Sequence, residues 1–226
     1  MMPDPAGCGL ARHDQLVETL AGTLEPVCPL PSPVARAALW LGAALLIGLF
    51  LAGWAGTGGF MLRMRVPDLA LAAVGAVLTA AAAAFAAFAT SIPGRSAAWA
   101  LLPLPPLALW IGASGFGCLR AWIAPGADIP GAHAVMGCFS FLICVSVPLS
   151  ALIVVMLRRA CPLRPNLTAA LVGLAVAAAA AALLMPVHPH DATASDLLIH
   201  AAAVALVIAV NGLGGGRLLG GHAGAG

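Results

Sequence analysis

The stretch Leu167–Leu213, LTAALVGLAVAAAAAALLMPVHPHDATASDLLIHAAAVALVIAVNGL, decides how this chain reads. Two apolar runs, each of bilayer-crossing length, flank the polar connection Met185–His200. That connection holds His188, His190 and His200, half of the six histidines in the chain, with Asp191 and Asp196 beside them. So polar a link between such apolar runs calls for solvent exposure, ligand binding or both.

The same pattern extends in both directions. Of 226 residues, 62% are hydrophobic and only 8% charged, too few charges to cover the surface of a soluble domain. Backbone groups in lipid must bond within their own segment, so a spanning chain is helical or a closed barrel. Barrel strands alternate apolar and polar at period two, and these runs do not. The expected fold is therefore all-α: a polytopic membrane protein of six transmembrane helices with a short cytoplasmic N-terminal helix. The spans read near Val34–Trp54, Leu69–Thr90, Ala97–Gly117, Ala132–Leu157, Leu167–Met185 and Leu197–Leu213. Residues 1–33 form a leader, 34–213 the bundle and 214–226 a Gly-rich tail read as disordered. No cleavable signal peptide is expected, because the first apolar run begins near Val34.

Pro103, Pro105 and Pro106 interrupt the third span, which reads as a kinked helix, and Pro148 should bend the fourth. Ala80–Ala84 and Ala177–Ala182 offer small-residue faces on which helices approach closely. All ten basic residues are arginine. With the N-terminus inside, Arg12, Arg36, Arg95, Arg158, Arg159, Arg164 and Arg217 fall on the cytoplasmic side and Arg63, Arg65 and Arg120 on the other. This asymmetry obeys the positive-inside rule, puts both termini in the cytoplasm and turns the His-rich loop outward. The net charge of +2 gives no reason to expect a nucleic-acid partner.

In the leader, Leu16, Leu20 and Leu24 recur at helical spacing with Val17 beside them, and Asp14 is positioned to cap the helix N-terminus. Pro26 ends the pattern, and Pro29, Pro31 and Pro33 form a stiff link to the first span. A helix this short is marginal alone, so its apolar stripe is expected to lie against the bilayer surface, the protein's own bundle or a partner.

Chemistry gathers at the outer ends of the later spans: Cys118, His133, Cys138, His188, His190, Asp191, Asp196 and His200. Imidazole and thiolate are the ligands of soft metal ions, so a transient heavy-metal ion is the one cofactor this set suggests. Cys118 and Cys138 face an oxidising compartment, whereas Cys8, Cys28 and Cys161 face a reducing one. Cys144, roughly 9 Å deeper than Cys138 at helical rise, reads as a packing residue. No CxxC, HExxH, Walker or nucleophile-elbow motif is present, so no enzyme is expected. A small transporter or channel for metal ions or protons is the alternative. It would require ionisable groups in mid-membrane, and outside the cysteines the assigned spans offer none there.

In order and spacing, LVETLAGTLEPVCPLPSPVARAALWL (16–41), SIPGRSAAWALLPL (91–104), RRACPLRPNLTAALVGLAVAAAAAAL (158–183) and HPHDATASDLLIH (188–200) resemble the NrsF family of bacterial anti-sigma factors. The resemblance implies a six-span inner-membrane protein whose short cytoplasmic N-terminus holds an extracytoplasmic-function sigma factor. The partner-binding residues would then be Asp14, Leu16, Val17, Leu20, Leu24 and Pro26. It also implies a response to heavy metals or oxidants through two periplasmic cysteines. Cys138 matches the first. The loop that reads like HCPxD in the family is VHPHD here, so His188 stands at the second. No disulfide can join an imidazole to Cys138, which weighs against a purely dithiol switch, while a mixed thiolate–imidazole metal site completed by His190, Asp191 or His200 stays compatible with the resemblance.

Overall fold

A computed structural model describes residues 5–24, 29–55, 58–123, 132–160, 162–186 and 194–215, and no strand occurs among them. By its contacts the chain divides into two units, Met1–Leu30 and Pro31–Gly226.

The first unit contains helix α1, Pro5–Gly22. Asp14 is therefore no N-cap: the helix begins nine residues earlier, at a proline whose fixed φ and missing N–H suit a first helical position. The expectation failed because Ala6, Leu10, Ala11 and Arg12 are good helix formers that carry the pattern back past Asp14. α1 closes with Thr23 N–H donating to the Leu20 carbonyl and Leu24 N–H to that of Ala21, both at 3.3 Å. Pro26 lies outside the described residues.

The second unit holds α2 (Pro33–Ala55), α3 (Gly58–Arg63), α4 (Pro67–Thr90), a 3-10 turn (Ala97–Leu101), α5 (Leu104–Ile123), α6 (Ala132–Arg158), α7 (Pro165–Leu184), α8 (Ala194–Val210) and a π-helical turn (Asn211–Gly215). α2, α4 and α7 each open on a proline. Ser32 caps α2, its Oγ accepting from Ala35 N–H at 3.2 Å while its carbonyl accepts from Arg36 N–H at 3.0 Å. Among the described residues, five helical segments are long and apolar enough to cross a membrane: Pro33–Trp54, Pro67–Thr90, Ala97–Arg120, Met136–Arg158 and Pro165–Leu184. They are compatible with a multi-pass membrane protein. Ala201–Gly214 is a shorter apolar helix.

Local chemistry accounts for the finer features of the spans. The third span is interrupted near its start, as its prolines suggest: a 3-10 turn opens it, and Pro105 and Pro106 sit in the first turn of α5, where a missing N–H costs nothing. α6 stays helical through Pro148, as prolines within membrane helices can. Asn211 donates to the Val207 carbonyl at 2.8 Å and to Ser150 Oγ at 3.1 Å, which extends ordered helix through Gly215 and shortens the expected tail.

α4 and α7 form the centre. Ala83, Ala84 and Ala87 on α4 and Ala175, Ala178 and Ala180 on α7 are fully buried. α4 also packs on α2 and α5, and α7 on α6 and α8. Two glycines mark the closest crossings. A Cβ on Gly75 would lie 2.7 Å from Trp110 N, and one on Gly173 would lie 2.6 Å from Ile208 Cα. In both cases the obstacle is backbone, which cannot swing aside.

These contacts also sort the helix ends. Arg36, Phe88, Thr90, Met156 and Thr168 meet at one end, where Thr90 Oγ1 and Thr168 Oγ1 are 3.4 Å apart. Asp68 and Arg120 pair at the opposite end of α4, about 30 Å away at 1.5 Å per residue.

Gly173→Ala and Gly75→Ala should each lower stability by about 1–3 kcal/mol, the usual cost of overpacking. Gly48→Ala should be nearly neutral, because its added Cβ meets only the movable Cδ2 of Leu183. Thermal unfolding of the three variants in detergent tests this ranking.

Candidate functional site

Two regions carry the residues marked by the sequence. The first is α1. Leu16, Val17 and Leu20 lie on one stripe about 100° wide, and Leu24 follows just past the helix end. All four are more than half exposed. Asp14 and Glu18 lie on another face, and Thr19 turns its hydroxyl back to the Gln15 carbonyl at 2.7 Å. The stripe is thus an apolar surface bordered by acid and hydroxyl.

The second region is the end of the bundle where α6 starts. Cys138 is buried there among Leu142, Ala180, Leu184 and Ala203, with Phe139 and Phe141 beside them. Cys118 on α5 is half-buried, and no disulfide joins the described cysteines. Cys144 is exposed, not packed as its depth suggested. Six residues along a helix turn the side chain about 240°, so burial of Cys138 carries Cys144 to a different face. His133 lies in the first turn of α6 and His200 in α8, where only their backbone is described. His188, His190 and Asp191 lie outside the described residues. Among the described residues no cluster of three His, Cys, Asp or Glu forms a metal site.

The structure adds polar contacts that the sequence pattern did not reveal. Asp68 is 7% exposed at the start of α4, and its Oδ2 lies 3.1 Å from Arg120 Nη2 on α5. Among the described residues no donor meets that oxygen with hydrogen-bond geometry, so the contact is an ion pair rather than an aligned bond. Gly117 makes room for it, since a Cβ there would come within 2.7 Å of Asp68 Oδ2. At the other end Arg36, 5% exposed, lies over the Phe88 ring at 4.6 Å and donates to the Met156 carbonyl. Nearby, Trp40 Nε1 donates to the Leu149 carbonyl at 3.1 Å. An arginine buried three residues inside a span boundary would have been the one cue to this contact. The charge rule counts such a residue and does not ask what it touches.

The model of the NrsF family, described as negative regulator of sigma F, matches residues 20–220. The chain belongs to the NrsF family. It is accordingly a negative regulator of a sigma factor, and a sigma factor is its partner. No curated protein and no solved structure matches the chain. The match begins at Leu20 and so takes in only the end of the α1 stripe, while it covers every helix of the second unit.

Arg120→Leu should destabilise this NrsF protein by roughly 1–3 kcal/mol, since it strands a buried carboxylate beside a partly solvated site. Adding Asp68→Leu should recover most of that loss. A double-mutant cycle on thermal or denaturant unfolding reads both effects.

Proposed function

We propose that this protein is an anti-sigma factor of the bacterial inner membrane that holds an extracytoplasmic-function sigma factor at its cytoplasmic face. A periplasmic heavy-metal or oxidative signal would release it. The observation that carries the reading is the exposed Leu16–Val17–Leu20–Leu24 stripe, on a unit distinct by its contacts from the bundle, in a family of sigma-factor regulators. An isolated amphipathic helix gains most of its stability from what it packs against, so the stripe is suited to docking a sigma factor and covering its polymerase- or promoter-binding surface. The protein acts by binding and not by catalysis, and it binds no nucleic acid itself.

In this reading α8 with its π-helical turn is the sixth span. Packing supports that count: Ala203 lies in the Cys138 cluster and Asn211 bonds Ser150, so α8 runs alongside α6 for about 18 Å. Residues 1–33 form the cytoplasmic leader and 34–213 the membrane bundle. The Arg36, Arg158, Arg159 and Arg164 end faces the cytoplasm by the positive-inside rule, and the Cys138 end faces the periplasm.

Cys138 is the sensing residue, with His188 as its partner and His190, Asp191 or His200 completing a transient soft-metal site. Cys118 and His133 lie on the same side. Such a ligand acts only through a difference in affinity between the holding and releasing states, and about 1.4 kcal/mol of difference shifts their ratio tenfold.

Three outcomes test the reading. The intact chain should co-purify with one sigma factor, identified by mass spectrometry, and Leu16→Glu with Leu20→Glu should abolish that capture and leave the target genes permanently on. Unchanged capture refutes the docking role. Cys138→Ala with His188→Ala should remove induction by cadmium or peroxide while repression persists, and normal induction in that variant refutes the sensing role.

A further inference from the structure

α6 joins the two regions that the proposed function needs to connect. Cys138 lies near its start and Met156 near its end, about 27 Å apart at helical rise. Below Pro148 the helix is tied to its neighbours by side-chain hydrogen bonds. Trp40 Nε1 donates to the Leu149 carbonyl, Arg36 Nη2 to the Met156 carbonyl and Asn211 Nδ2 to Ser150 Oγ. Just above Pro148, the buried hydroxyl of Ser146 has no hydrogen-bond partner among the described residues.

Two of those three ties come from α2, the helix that continues the leader after Pro31 and Ser32. The Arg36 bond fills a vacancy that the helix itself leaves. Met156 lies in the last turn of α6, and Ala160 N–H, its natural donor, bonds the Leu157 carbonyl instead at 2.9 Å. Phe88 fixes the guanidinium from the α4 side. The Trp40 bond is different: Leu149 sits inside the helix, so the indole adds to a carbonyl that the helix already supplies with a donor. Trp40 is wholly buried, and an indole N–H in that setting is held to its acceptor. Any displacement of the lower half of α6 along its axis must therefore move the start of α2 or break these bonds.

We propose that Arg36 and Trp40 are positioning residues that couple α6 to the leader. Through them a change of packing around Cys138 alters the grip of the leader on the sigma factor. The proposal rests on the docking and sensing roles proposed above.

The test is a double-mutant cycle on the full chain in nanodiscs, reading affinity for the sigma factor recovered by co-purification. Cys138→Phe overpacks the outer cluster and should weaken sigma binding by about tenfold, about 1.4 kcal/mol. Cys138→Leu replaces it if the larger ring prevents assembly. In chains carrying Trp40→Phe or Arg36→Met the same change should cost less than about twofold. Arg36→Lys keeps a donor for the Met156 carbonyl and should restore the full effect. Trp40→Phe strands no carbonyl, so it carries the test even if Arg36→Met fails to fold. Equal losses in all backgrounds, or no loss in the otherwise unaltered chain, overturn the coupling. An unaltered chain that binds no sigma factor overturns the docking reading, and the coupling falls with it.

Discussion

The close approach of α4 and α7 is the constraint on which the rest of the bundle depends. Alanine on both faces lets two backbones come together without side-chain obstruction, and every other long helix of the second unit packs on one of the two. In lipid there is little hydrophobic drive for one apolar helix to prefer another over an acyl chain, so association relies on van der Waals fit and on hydrogen bonds. Fit is poor unless small residues permit it. Glycine serves the same end where α4 meets α5 and where α7 meets α8.

Around that centre the polar groups lie mainly towards the two ends. Asp68 with Arg120 closes one end of the α4–α5 pair, and Arg36, Thr90 and Thr168 tie the other. Each buried polar group stabilises the bundle only while its partner is present, because an unpaired one retains its full desolvation cost. The buried charges Arg36 and Asp68 lie at opposite ends of α4, so the described residues form no chain of ionisable groups across the bundle.

The proposed function asks the bundle to join a chemical event at one end to a protein–protein contact at the other. α6 has the properties such a link requires. It is a continuous helix with a cysteine near one end and a proline in the middle, and backbone carbonyls grasped by α2 near the other. A continuous helix tied to α2 at one end and packed in the Cys138 cluster at the other can carry a displacement between them.

Hydropathy alone determined that the chain is helical and where the long apolar helices lie, within a few residues, because twenty apolar residues in succession have few other outcomes. The leader stripe was legible for the same reason: a 3.6-residue period in a polar background is a strong signal. The true start of α1 was not, since residues before Asp14 are helix-compatible without being periodic. Side-chain environments within the spans were decided only by the tertiary structure. A run such as Ala177–Ala182 is equally apolar on every face, so nothing in it states which face is buried or which neighbour it meets. Cys138 and Cys144 differ in burial through helix rotation, and Arg36 finds a carbonyl 120 residues away. Such partners are set by three-dimensional proximity, of which a uniform apolar pattern keeps no record.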